Sequence, residues 1–279
     1  MNENLKSSIL MIISSIFYSL QNLNVKILTR YYSIWIIIFF RAFVALLISF
    51  ILILCFKIKP ILGNEKKKLF IRGLLGSINI ILGFLALEFL SISITIIILN
   101  TSIIWFSLIA HFYYKEYWHF INNIGIIFII SGIFILIFQN EKKINIIGVI
   151  LALFASIVNA LANITIKEIK NESTLVIGLY SMGLCLIFSS LGFFIEPIKL
   201  SIKHQYIYHL LFTGIFTLLA QNFKNKSLQI TNNLGVIFLK NLDIIFSFLF
   251  DIFIFKYNFT IKELIGILII SIGCFINKQ

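Results

Sequence analysis

The chain has 279 residues, 60% of them hydrophobic and only 12% charged, with a mean hydropathy of +1.03. Soluble globular domains carry about 25% charged residues, so this composition excludes a soluble enzyme or binding module and describes a chain built for lipid. Lys and Arg outnumber Asp and Glu by 23 to 11, but the excess lies mainly in short connections between apolar runs, which argues for a multi-pass membrane protein and against a nucleic-acid partner.

A helix needs about 20 apolar residues to cross a bilayer, and ten such spans use nearly the whole chain. The expected fold is an all-α membrane protein of ten transmembrane helices, over 5–29, 33–56, 68–89, 91–113, 119–139, 144–169, 174–195, 205–226, 231–255 and 260–277. The first apolar run, LKSSILMIISSIFYSLQ, leads into QNLNVKILTR and not into a small-residue cleavage site, so it reads as a retained span. Its Ser15, Tyr18, Asn22 and Lys26 recur at three- and four-residue steps and share a face. Near its end Tyr31, Tyr32 and Trp35 suit an interfacial aromatic belt.

The second span carries Arg41 about a third of the way in, within IIIFFRAFVALL. The basic connection KIKPILGNEKKKLFIRG, with Pro60, precedes the third span, which ends at ALEFLS with Glu88 near the surface. The fourth aligns Ser93, Asn100, Ser107 and His111, and a second aromatic group, Tyr113, Tyr114, Tyr117 and Trp118, follows it. The sixth repeats the pattern of the first in Ser156, Asn159, Asn163 and Lys167; the eighth offers Thr217, Gln221, Lys224 and Asn225. Pro197 falls in the connection before the eighth. The ninth, VIFLKNLDIIFSFLFDIFIF, places Lys240, Asp243, Ser247 and Asp251 on one stripe, with Asn233 upstream. Cys55, Cys185 and Cys274 show no CxxC spacing and read as buried free thiols.

Compared with itself at an offset of 141, the chain pairs Ser15 with Ser156, Asn22 with Asn163, Lys26 with Lys167, Gly73 with Gly214, Gly125 with Gly266 and Gly132 with Gly273. The halves are then 5–139 and 144–277, each of five helices. An odd number makes the second half enter the membrane from the opposite face, as an inverted repeat, the arrangement that puts a transporter's substrate site near mid-membrane between the repeats. With the N-terminus inside, the flanking Lys and Arg count 13 on that side and 8 on the other, Arg41 and Lys240 being left out as intramembrane. Both termini are therefore expected in the cytoplasm, with the chain in the cell (inner) membrane.

One Lys or Asp at mid-helix costs roughly 2.5–3.5 kcal/mol on insertion scales. Polar seams on otherwise lipid-like helices should therefore turn inward around a wet cavity. Each seam also has a structural reading: Ser, Thr and Asn bond their own or a neighbouring helix, Lys26 and Lys167 snorkel from helix ends, His111 is interfacial, and Asp251, one or two turns from its helix end, reads as interfacial, with a gate residue as the alternative. Lys240 and Asp243, at i and i+3, can pair on one helix and still face a ligand. Arg41 is placed to join them, with snorkelling to an interface as its alternative reading.

The segments IFFRAFVALL, IRGLLGSINIILGFLALEFLSISITIIILNTSIIWFSLIAHFYYKEYWHFINNIGIIFIISGIFIL and NFTIKELIGILIISIGCFI resemble the EamA-type ten-helix members of the drug/metabolite transporter superfamily, and the resemblance covers essentially the whole chain. It implies roles for an Arg in the second helix (Arg41), a short connection between the third and fourth helices (ALEFLSIS) and a Glu before the Gly-x6-Gly helix (Glu116). The second half has Tyr257 where the first has Glu116, and the proline common in the family's fourth and ninth helices is absent. LKNLD resembles a basic-x-x-acidic pattern of the subgroup that includes bacterial S-adenosylmethionine transporters.

The expected function is secondary transport of a small polar or zwitterionic metabolite, such as an amino acid, a nucleoside derivative or an S-adenosylmethionine-like molecule, by alternating access. The expected substrate-binding residues are Arg41, Lys240 and Asp243 as charges and Asn22, Asn100, Asn163 and Gln221 as neutral contacts. Proton coupling through Asp243 or Glu88, and exchange of one metabolite for another, both fit. No cofactor or metal is expected: the histidines 111, 119, 204 and 209 show no HExxH spacing, and there is no Gly-x4-Gly-Lys-Ser/Thr loop. An enzyme is therefore not expected. A flippase for a lipid-linked carrier is the alternative; it would require a lateral opening.

Overall fold

The computed structural model describes residues 3–114, 120–137, 144–169, 171–194, 206–230 and 239–276. Glu116, Tyr117, Trp118, His119, Pro197, His204 and Asn233 lie outside the described residues, as do the side chains of Tyr113, Tyr114 and Lys167. The regular structure described is helical throughout: α1 Glu3–Leu28, α2 Ile34–Cys55, α3 Lys66–Phe89, α4 Ile92–Asn100, α5 Ser102–Tyr114, α6 Phe120–Ile137, α7 Ile146–Glu168, α8 Thr174–Gly192, α9 Ile207–Ile230, a 3-10 turn Leu239–Asn241, α10 Leu242–Phe253 and α11 Ile261–Ile276. By length and composition α1, α2, α3, α7, α8 and the run Ile92–Ile109 can cross a membrane.

Burial follows lipid logic. Phe43, Leu47, Phe50 and Leu54 of α2 and Ile127, Ile130 and Phe134 of α6 are exposed, while Ser14, Arg41, Ser93, Asn100, Thr217 and Asp243 are buried. In a bilayer that exposure has no cost, and the polar groups find partners only inside.

Helix pairing follows the 141-residue offset. The contact of α1 with α9 maps onto that of α7 with α3, α2 with α9 onto α8 with α3, α1 with α10 onto α7 with α5, and α1 with the 3-10 turn onto α7 with α4; α2–α8 and α6–α11 map onto themselves. On the α1–α9 seam Ser7 and Ser227 each donate to the other's carbonyl at 2.9 Å, and Ser14 Oγ donates to Ala220 O at 2.8 Å. Between α6 and α11 the two Gly-x6-Gly motifs meet antiparallel. A Cβ on Gly132 would stand 2.9 Å from Gly266 O, and one on Gly273 would stand 2.7 Å from Gly125 O. Only hydrogen at these positions lets the backbones approach so closely.

The fourth expected helix, 91–113, is interrupted. α4 ends at Asn100 and α5 begins at Ser102. Proline is not needed here: Thr101 N and Oγ1 both donate back to Ile98 O, at 3.1 and 2.7 Å, and Ser156 Oγ lies 3.2 Å from Thr101 Oγ1. A helix break inside a membrane protein survives where side chains re-satisfy the freed backbone. At offset 141 Asn100 maps onto Asn241, the last residue of the 3-10 turn before α10. Cys55 corrects another expectation: Cys185 and Cys274 are buried, but Cys55 is exposed at the end of α2.

Candidate functional site

Where α1, α2, α3, α4, α7, α9, α10 and the 3-10 turn converge there is a cavity of about 90 Å³. A water needs roughly 10–15 Å³, so it holds on the order of six waters or a small ligand. Six of the seven expected residues line it: Arg41, Lys240, Asp243, Asn22, Asn100 and Gln221. Asn163 is not among the lining residues; it is buried in α7 and its Oδ1 has no hydrogen-bond partner.

Lys240 and Asp243 do not pair directly on one helix, as the i, i+3 spacing suggested. Lys240 belongs to the 3-10 turn and Asp243 to the first turn of α10, and Asn100 stands between them. Asn100 Nδ2 donates to Asp243 Oδ1 at 2.8 Å, and its Oδ1 accepts from Lys240 Nζ at 3.4 Å. The end of α4 thus joins the two charges of the opposite half. Lys240 Nζ also lies 5.6 Å from the centre of the Tyr18 ring.

Arg41 is 1% exposed. Its Nε donates to Thr217 Oγ1 at 2.6 Å, and its guanidinium carbon sits 4.6 Å from the Phe84 ring centre, within cation–π range. Thr217 is in turn held by Thr213 O at 2.7 Å and Gln21 Oε1 at 3.0 Å. The plane of the guanidinium is fixed while Nη1 has no partner.

Several cavity residues escaped the sequence reading. Arg72 was counted with the basic connection, yet it is buried in α3 and lines the cavity. α3 starts at Lys66, so Arg72 stands about 9 Å inside the helix at 1.5 Å per residue. Lys224, placed on the seam of the eighth span but not in the expected site, was also counted among the flanking charges near that span's expected end at 226; α9 runs to Ile230, and Lys224 Nζ donates to Asn159 Oδ1 at 3.3 Å. Without these two the inside bias narrows from 13 against 8 to 11 against 8. Tyr18 and Asn159, placed on seams but not in the expected site, and Gln21 and Asn79 complete the polar lining. The signal for Arg72 was Gly76 one turn later: a Cβ there would overlap Arg72 Nη1.

Two further expectations are corrected. Asp251 is not interfacial but 1% exposed, and it caps α4: Ser93 N donates to Oδ2 at 2.8 Å, Ile92 N to Oδ1 at 3.3 Å, and Ser93 Oγ to Oδ2. A carboxylate at a helix N-terminus satisfies orphan amides and meets the positive end of the helix dipole. Lys26 does not snorkel: its Nζ donates to Leu87 O and Leu90 O, both at 2.6 Å, at the end of α3. Glu88 is exposed and does not line the cavity.

α4 and α10 therefore lie antiparallel, joined at one end by Asn100 and Asp243 and at the other by Ser93 and Asp251. Among the described residues no group of His, Cys, Asp and Glu is arranged to hold a metal ion.

The model of the EamA-like transporter family matches this chain twice, over residues 5–138 and 146–278. No curated protein sequence matches it. A solved structure titled only "Crystal structure of protein" shares the fold, with a TM-score of 0.72 over 97% of this chain and 96% of that one, at 11% identity. With both halves matched and a polar cavity enclosed by helices of both, the chain belongs to the EamA-like transporter family of the drug/metabolite transporter superfamily, multi-pass membrane proteins that transport small molecules.

Proposed function

We propose that this chain is a secondary carrier that moves a small polar metabolite by alternating access. Its ten crossings form two inverted repeats, 5–139 and 144–277, with both termini in the cytoplasm and the chain in the cell (inner) membrane. The observation that carries this reading is the convergence of Arg41, Lys240, Asp243, Asn22, Asn100 and Gln221, from six elements in both halves, on one cavity. Between inverted repeats such a cavity opens to one face when the halves rock one way and to the other when they rock back. The symmetric pairing of helices across the halves supports this arrangement. In this reading the contacts of Asp251 with Ser93 and of Lys26 with Leu87 and Leu90, toward the end of α1 remote from the N-terminus, act as the closure on that side and part when it opens. Lining residues from both halves converge on one cavity, the arrangement a carrier of small solutes requires.

Purified protein in proteoliposomes should take up members of a panel of radiolabelled metabolites, with and without a pH gradient. Lys240→Ala and Asp243→Ala should each cut uptake at least tenfold while the protein remains extractable and monodisperse. Wild-type rates in both variants would remove these residues from the site.

A further inference from the structure

The cavity's charges are unequal, and its strongest donors lack partners. Four basic side chains, Arg41, Arg72, Lys224 and Lys240, line it against one carboxylate, Asp243, whose Oδ1 is already bonded by Asn100. Arg41 and Arg72 are both nine-tenths or more buried, yet among the described residues Arg41 Nη1 and Arg72 Nε and Nη1 have no hydrogen-bond partner. Among the described residues the ion pair within 4 Å is Lys68 with Glu65, at the start of α3, so neither arginine is neutralised by a carboxylate there. Guanidinium stays charged in proteins, and a buried charge without a partner is costly. Two such groups facing one cavity are explained by a ligand that brings the missing acceptors.

The geometry suits an anion. Thr217 and Phe84 hold Arg41 while its buried Nη1 has no hydrogen-bond partner among the described residues, and Gly76 leaves room for Arg72. A planar fork with parallel N–H donors matches the paired oxygens of a carboxylate or phosphate better than any neutral group does. Tyr18 lies within electrostatic reach of both arginines and lines the same cavity.

We propose that the transported substrate is a small organic oxyanion with two negative charges, a phosphomonoester or a dicarboxylate, gripped by Arg41 and Arg72. This rests on the carrier reading and narrows it. It also departs from the S-adenosylmethionine-like resemblance of LKNLD, because a net cation would meet four basic side chains.

The test pairs binding with transport. Glycerol 3-phosphate, succinate, serine and choline are offered to the full-length protein in detergent, read by thermal stabilisation, and in proteoliposomes, read by uptake. One or both dianions should stabilise the wild type and be taken up. Arg41→Lys and Arg72→Lys, which keep the charge and lose the fork, should each lower uptake of that dianion at least tenfold. Uptake of serine or choline with both dianions ignored overturns the substrate class and leaves the carrier standing. Dianion binding that needs both arginines, without uptake, leaves the anion site standing and overturns the carrier. Neither binding nor uptake of any probe overturns both.

Discussion

Asn100 is the residue on which the site's electrostatics turn, because one amide serves both Lys240 and Asp243 across the meeting of α4 and α10. Asn100→Leu should leave a buried carboxylate short of a donor, at a cost of about 1–3 kcal/mol, and reduce uptake more than tenfold; thermal unfolding and proteoliposome flux read the two effects. Lys26→Met should likewise lower the unfolding temperature, since two carbonyls at the end of α3 lose their donor. Residue identities on the seams were legible in the sequence because a charge in an apolar run has few explanations. Their partners were not. Asp251 looked interfacial since it lies near a helix end, but the amides it caps belong to α4, more than 150 residues away. Arg72 and Lys224 were counted with flanking charges for a smaller reason: each lies within about a turn of an expected span end, where a buried cation and an interfacial one look alike in the sequence.

Elements of this fold meet through small residues. Gly132 and Gly273 touch backbone atoms of the facing helix, which cannot move aside as a flexible side chain can. Gly132→Val and Gly273→Val should therefore force α6 and α11 apart and lower the unfolding temperature in detergent, whereas Gly178→Ala, with nothing within 4 Å of the added Cβ, should leave it unchanged or raise it. The Gly-x6-Gly motifs were readable as a recurrence in the sequence, and their mutual contact supplies the physical reason. The interruption at Thr101 was not readable in this way. Without proline, the break depends on Thr101 bonding back to Ile98 and on Ser156 approaching from α7, and the second contact exists only once the helices have packed.

The whole molecule places apolar surface outside and polar seams inside, and its helix pairs obey the 141-residue offset. Composition announced the first property and self-comparison suggested the second. The charge imbalance of the cavity emerged only in three dimensions, because Arg41, Arg72, Lys224 and Lys240 come from four separate segments. On the proposed mechanism, the Asp251–Ser93 contact holds the remote end shut, so breaking it should shift the balance between the two openings. The most direct measurement is the rate at which a membrane-impermeant thiol reagent, applied from each face in turn, labels Asn22→Cys in a cysteine-free background, with and without Asp251→Ala. Alternating access predicts that removing Asp251 speeds labelling from the face remote from the N-terminus several-fold and slows it from the other face. Equal rates with and without Asp251 on both faces, or no labelling from either, would contradict it.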